Sequence, residues 1–173
     1  MKAENLAKDI KVIILDCDGV LTDGGLYYDN EGNVIKRFNV QDGLGIKTAQ
    51  ACDLIIGVIT GLDAKSVATR MNDLGITDYY AGHLKKMACI DEIRQKYDLE
   101  WHQIAFVGDD WVDLAPMRKV GLPIAVANAV PEVKEVAILQ TEATGGNGAV
   151  REALNFIINA QGKLEGIINS IGG

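Results

Sequence analysis

Short apolar runs recur along the chain, separated by longer amphipathic stretches, and this alternation restricts the fold more than any other feature of the sequence. Residues 11–15, 54–59, 104–107, 124–126 and 137–139 read as buried strands. Between them, residues 43–51, 64–74, 85–97, 112–120 and 149–161 place apolar side chains at helical spacing, with Gly75 and Gly121 standing where helix C-caps belong. Strand and helix in alternation predict an α/β fold, three layers deep, around a parallel sheet. One segment breaks the rhythm. Residues 25–38 hold two short β runs around Asp29-Asn30-Glu31-Gly32-Asn33, which is turn chemistry, and are expected to form a β-hairpin insertion too short to fold over a site as a cap. The last stretch, residues 162–173, reads as a loosely held tail.

A length of 173 residues, 48% of them hydrophobic, fits one domain spanning residues 1–173 with a single core. A formal charge of -7 argues against a sequence-independent grip on nucleic acid, which depends on Lys and Arg neutralising phosphates. A small molecule is the expected partner. The three cysteines, Cys17, Cys52 and Cys89, have neither disulfide-framework nor zinc-ligand spacing, which fits a reducing cytosol. No secretory leader is apparent at the N-terminus, and no apolar run approaches the roughly 20 residues needed to cross a bilayer. A cytoplasmic protein without membrane contact is expected.

The chemistry concentrates where strands end. Asp16-Cys17-Asp18-Gly19-Val20-Leu21-Thr22-Asp23 follows an apolar strand directly, at the carboxyl end where open α/β sheets bind ligands. Alternation sends Asp16 and Asp18 to the same side, and carboxylates so close repel unless a cation or a shared proton relieves them. Gly19 lets the backbone turn sharply and aim N–H groups at an anion. A second acidic cluster, Gly108-Asp109-Asp110-Trp111-Val112-Asp113, follows another strand. Magnesium prefers oxygen ligands, so Asp109 joined to the first loop suits it, with Asp110 and Asp113 equally able to serve as helix-start residues. Thr60-Gly61 ends a third strand ahead of a helix and offers a hydroxyl and N–H groups to an anion. Lys85 and Lys86 open a helix where acids are the rule, so at least one of them is expected to have a local task, with Lys86 as the phosphate partner.

The order DxDGVLT, VITG, Lys, GDDxxD resembles the four motifs of the haloacid dehalogenase superfamily, whose core is Rossmann-like. The resemblance implies Asp16 as nucleophile, Asp18 as general acid and base, and Thr60, Gly61 and Lys86 as phosphate binders. It implies Asp16, Asp109 and the backbone carbonyl of Asp18 as Mg²⁺ ligands. An acceptor aspartate, a threonine and a lysine also mark signalling receiver domains, but those carry the acceptor alone on a middle strand, whereas here it ends the first strand beside a second Asp.

Further segments are similar to the 3-deoxy-D-manno-octulosonate 8-phosphate phosphatase family: Asp23-Gly24-Gly25, Phe38-Asn39-Val40 with Asp42-Gly43, Leu74-Gly75-Ile76, Gly145 to Glu152, and Lys163-Leu164-Glu165-Gly166. This implies a capless homotetramer with β-hairpins at its centre, and an active site helped to close by the C-terminal tail or a neighbouring subunit. The implied substrate is a sugar-acid phosphate of lipopolysaccharide biosynthesis, with Lys36, Arg37 and Arg70 as candidates for its carboxylate. After Thr60-Gly61 such enzymes tend to carry Arg, and relatives acting on nine-carbon ulosonate 9-phosphates tend to carry Glu; this chain has Leu62. Asn147 stands where the octulosonate enzymes tend to have a basic residue. The nine-carbon ester and a non-catalytic regulatory subunit therefore stay open as alternatives.

Overall fold

The computed structural model describes residues 2–173. In chain order the elements are α1 (Lys2–Ala7), β1 (Val12–Leu15), β2 (Tyr27–Tyr28), β3 (Val34–Ile35), α2 (Val40–Ala51), β4 (Ile55–Thr60), α3 (Lys65–Leu74) and β5 (Asp78–Ala81). They continue as α4 (Met87–Lys96), β6 (Ile104–Gly108), α5 (Leu114–Met117), β7 (Leu122–Ala125), α6 (Pro131–Val136), β8 (Leu139–Gln140), α7 (Ala149–Ala160) and α8 (Leu164–Gly172).

Six strands form one parallel sheet in the order β5-β4-β1-β6-β7-β8, as the alternation predicts. β1 and β6 are buried along their whole length, because a central parallel strand is covered on both faces and must be apolar throughout. Helices α1, α2, α3 and α7 form one contiguous group, and α4, α5 and α6 another. No helix among the described residues is long and apolar enough to cross a membrane.

The topology decides where the chemistry can be. The chain runs outward from β1 to β4 and β5, then returns to the other side of β1 with β6. Connections therefore diverge at β1, which opens a crevice beyond the carboxyl ends of β4, β1 and β6. Register fixes the rest: Leu15 pairs with Val58 on one side and Val107 on the other, so the residues just past them, Asp16, Thr60 and Asp109, converge.

Strand β5, an edge strand reading Asp-Tyr-Tyr-Ala, escapes the apolar-run criterion because its aromatic side chains are only half buried. Gly75 does cap α3, in the left-handed conformation at φ 67°. Gly121 does not cap a helix: α5 ends at Met117, and Gly121 instead lies against the backbone of His102, where a Cβ would stand 2.3 Å from the carbonyl oxygen. Residues 164–172, expected as a loose tail, form α8, with Ile168 and Ile171 exposed.

The hairpin is present. Tyr27 pairs with Ile35 and Tyr28 with Val34, and a bridge between Thr22 and Phe38 closes its base. Asp29 fastens the turn: its Oδ1 accepts from the backbone N–H groups of Glu31 and Asn33, and its Oδ2 from the Asn33 amide. Leu26, Tyr27, Tyr28 and Ile35 remain exposed on the hairpin.

Candidate active site

Asp16, Asp18, Gly61, Leu62, Leu84, Lys86, Asp109, Asp110 and Val112 line a cleft of about 350 Å³. Four separate loops, one after each of β1, β4, β5 and β6, deliver these residues. Arg70, Arg37 and Thr60 are not among them.

Lys86 organises the floor. Its ammonium is almost wholly removed from solvent, 2.5 Å from Asp16 Oδ1 and 2.7 Å from Asp113 Oδ1, and it lies over the Phe106 ring at 5.6 Å from the centroid. Burial opposes this charge, but the Asp16 and Asp113 carboxylates outweigh burial and raise the lysine pKa, so it stays protonated. Lys85 is exposed, so of the two lysines, which the structure places just ahead of α4, only Lys86 reaches into the site.

Asp113, expected as support, is fully buried and holds two things at once. Its Oδ1 accepts from Lys86, while its Oδ2 accepts from the backbone N–H of Asp109 at 2.9 Å, which orients the second acidic loop. Asp110 is an N-cap accepting from the Trp111 N–H at 2.7 Å, the helix-start reading of that residue.

Asp109 is different. Its Oδ1 is buried without a hydrogen-bond partner. Burial, then repulsion from Asp16 and Asp113, pushes its pKa up to about 8; burial and Asp113 push Asp16 up to about 6. Carboxylate oxygens of Asp16, Asp109 and Asp113 lie within 4.8 Å of one another. Gly19 belongs to the same construction: at φ +87°, its missing Cβ leaves room for Asp109 Oδ2, which would lie 2.0 Å from it. An orphaned oxygen facing a second acid is the donor set a hard divalent cation requires, so the residues fit the ion that the sequence implies. Asp113 is tied to Lys86 and a backbone N–H, which leaves Asp16 and Asp109 as the carboxylates open to it.

A measurable consequence follows from those two pKa values. A carboxylate whose folded pKa is raised stabilises the metal-free fold at low pH, and that stability is lost as pH climbs from the ordinary value of 3.8 through about 6 and about 8. Thermal melts in chelator should therefore decline from about pH 5 to about pH 8, and the gain on adding Mg²⁺ should grow over the same interval. Asp42 is also raised by burial, so the decline alone is not specific; the magnesium difference is. A magnesium gain independent of pH would remove Asp109 as ligand.

Asp18 points into the cleft from the turn after β1. Its Oδ1 accepts from the Thr22 hydroxyl at 3.4 Å and from the ammonium of Lys36. Arg37 reaches elsewhere, to the Gly146 carbonyl and Asn147 Oδ1, and toward Asp23. Arg70 packs from α3 over Gly43 of α2, where a Cβ would lie 2.2 Å from its guanidinium. Thr60 is fully buried, its hydroxyl 3.3 Å from the Leu62 N–H. Cys17 is a buried filler whose thiol is pushed up by burial.

Two supporting residues were not among the expected site residues, although Asp42 lies in a segment that carries the family resemblance. Asn128 donates to the Gly19 carbonyl at 2.9 Å and accepts from the Gly145 N–H at 2.6 Å, pinning the first acidic turn to a distant glycine loop. Asp42 accepts from the backbone N–H groups of Gly148 and Arg151 at the start of α7. Both act across more than a hundred residues or between loops, where local spacing carries no information.

Comparison with known proteins agrees with this geometry. The haloacid dehalogenase-like hydrolase family matches residues 26–154. The 3-deoxy-D-manno-octulosonate 8-phosphate phosphatase KdsC of Escherichia coli is 43% identical over 159 residues, covering 92% of this chain and 85% of the relative. The Moraxella catarrhalis 3-deoxy-D-manno-octulosonate 8-phosphate phosphatase, in complex with magnesium, phosphate and KDO, superposes with a TM-score of 0.95 at 36% identity over 98% of this chain and 97% of that one. The cobalt-bound Haemophilus influenzae phosphatase does so at 0.89 and 40%, over 92% and 93%. With the sheet order, the acidic crevice and both sets of similarities in agreement, the chain belongs to the haloacid dehalogenase-like hydrolases, in the 3-deoxy-D-manno-octulosonate 8-phosphate phosphatase family.

Proposed function

We propose that this chain is a Mg²⁺-dependent phosphomonoesterase that converts 3-deoxy-D-manno-octulosonate 8-phosphate to the free octulosonate and inorganic phosphate through an aspartyl phosphate on Asp16. The observation that carries the reading is the buried ammonium of Lys86 between Asp16 and Asp113, with the unpartnered Asp109 oxygen beside it. Phosphoryl transfer needs an in-line nucleophile, neutralised equatorial oxygens and a proton for the leaving alkoxide.

An Asp16 oxygen attacks phosphorus, and the ester P–O bond breaks as Asp18 gives its proton to the departing alkoxide. Asp18 then takes a proton from water, which attacks the same phosphorus; the bond to Asp16 breaks, and phosphate leaves. Lys86 holds Asp16 in place and supplies positive charge throughout, while Thr60 and the N–H groups near Gly61 receive the phosphate oxygens. Asp16, Asp109 and the Asp18 carbonyl would hold the magnesium ion, which would supply further neutralisation of the phosphate charge.

The chain works as one capless domain in the cytoplasm, on the route to lipopolysaccharide, and as a homotetramer. The exposed Leu26, Tyr27, Tyr28 and Ile35 of the hairpin support association there. Sedimentation showing a monomer at working concentration removes the tetramer.

The deciding assay is phosphate release, with magnesium or with chelator, from octulosonate 8-phosphate, nine-carbon ulosonate 9-phosphates, hexose phosphates and nucleotides. Magnesium-dependent turnover greatest on the octulosonate ester is the expected result. Preference for a nine-carbon ester would assign Leu62, which lines the cleft, to a different specificity. No turnover on any ester would favour a regulatory role.

A further inference from the structure

We infer that Lys36 is a positioning residue: from the foot of the β-hairpin its ammonium holds one oxygen of Asp18, so that the other faces the cleft. The inference rests on the phosphatase reading above. Lys36 directly follows β3 on a hairpin whose other side chains are largely exposed, yet its own side chain is entirely shielded from solvent. A lysine on such an element normally reaches water, and a buried ammonium is costly unless paired. Its polar partner is Asp18 Oδ1.

A second donor is aimed at the same oxygen. The Thr22 hydroxyl donates to Asp18 Oδ1 and itself accepts from the backbone N–H groups of Gly19, at 3.4 Å, and Gly24, at 3.3 Å. Those two acceptances leave the hydroxyl hydrogen directed at Asp18. Two donors occupy Oδ1, so Oδ2 is the oxygen left free to meet the substrate. The Asp18 side chain keeps 36% of its exposure and lines the cleft, which leaves Oδ2 as the oxygen available there.

The same arrangement suits both halves of the reaction. While Asp18 is protonated, Oδ2 donates to the alkoxide as the ester P–O bond breaks; once ionised, Oδ2 accepts the proton of the water that opens the acyl phosphate. Oδ1 remains an acceptor in both states, so Lys36 and Thr22 need not move. The hairpin is thereby joined to the acid–base machinery. Proton transfer of this kind contributes on the order of 10²–10⁴-fold and is lost when the group is misaimed.

Pre-steady-state kinetics of Lys36→Met, on octulosonate 8-phosphate and on p-nitrophenyl phosphate, separates the two halves. On the sugar ester kcat should fall by about 10²-fold with KM little changed. On p-nitrophenyl phosphate, whose weakly basic leaving group departs without a proton, a fast burst of nitrophenolate should precede slow turnover, because hydrolysis of the Asp16 acyl phosphate still needs Asp18. A raised KM with kcat preserved would make Lys36 a substrate ligand instead, and equal slowing of burst and turnover would reduce it to a structural residue; either overturns the proposal. Should Lys36→Met melt at assay temperature, Thr22→Val, which removes the other donor to Oδ1, is expected to give the same burst in weaker form. Absence of a burst there would also overturn it. Failure of the unmodified protein to release phosphate from any ester would strike the phosphatase reading rather than this one.

Discussion

Asp16→Asn is expected to abolish turnover, by on the order of 10⁴- to 10⁶-fold, while making the metal-free protein more stable at neutral pH. An amide has no anionic oxygen to attack phosphorus, so no acyl phosphate forms, and acid-quenched enzyme should carry no phosphoryl label. The stability effect follows from the same carboxylate. Burial and Asp113 raise Asp16 to about 6 despite the attraction of Lys86, so its ionised form is held at a cost above that pH. A neutral isostere removes this cost, by up to about 3 kcal/mol, and leaves Lys86 paired with Asp113. Catalysis and stability are opposed at this one position, as is common where an active site concentrates like charge. Chelated protein compared by thermal melt and by phosphate release gives both readings. Turnover retained within about 10²-fold of the unmodified protein, or a phosphoryl label still trapped on the variant, would place the nucleophile elsewhere.

What could be read before folding, and what could not, divides along physical lines. The parallel sheet was legible because β1, β4 and β6 are buried on both faces and must therefore be written in apolar residues. The convergence of Asp16, Thr60 and Asp109 was legible because each ends or directly follows a strand, and strands paired in parallel bring their ends together. Strand β5 was not, since an edge strand satisfies its pairing with side chains half in water. Nor was the six-residue α6, which begins at Pro131 and is too short to show periodicity.

Within the site, the residue types were evident but some of their partners were not. Lys36, Arg37 and Arg70 offered cations to a substrate carboxylate, yet Lys36 meets Asp18, Arg37 meets the Gly146 loop, and Arg70 lies over Gly43. Which anion a lysine finds depends on the orientation of the hairpin carrying it, and no spacing along the chain encodes that. The glycine loop makes the same point. Gly145 has no room for a Cβ because the Gly19 carbonyl would stand 1.8 Å away, a constraint imposed by a turn more than a hundred residues earlier.

Lys86→Met tests the electrostatic plan of the whole site, and its effect should depend on conditions in a way a packing defect would not. The lysine is the cation paired with Asp16 and Asp113, whose oxygens lie within 4.8 Å of one another and of Asp109. Without it these acids remain buried among like charges, and removing one partner of a buried pair costs about 3–5 kcal/mol. Because burial and mutual repulsion already raise Asp16 and Asp109 to about 6 and about 8, and loss of Lys86 raises Asp16 further, much of that loss should be recovered as the medium is acidified toward about pH 5. Magnesium should recover part of it at neutral pH by supplying the missing positive charge. Turnover should stay depressed by at least about 10²–10³-fold even when the fold is rescued, since the phosphate loses a preorganised cation. Lys85→Met, one residue earlier and exposed, should change neither quantity. A Lys86→Met loss equal at both pH values and indifferent to magnesium would mean that the lysine serves packing against Phe106 rather than charge.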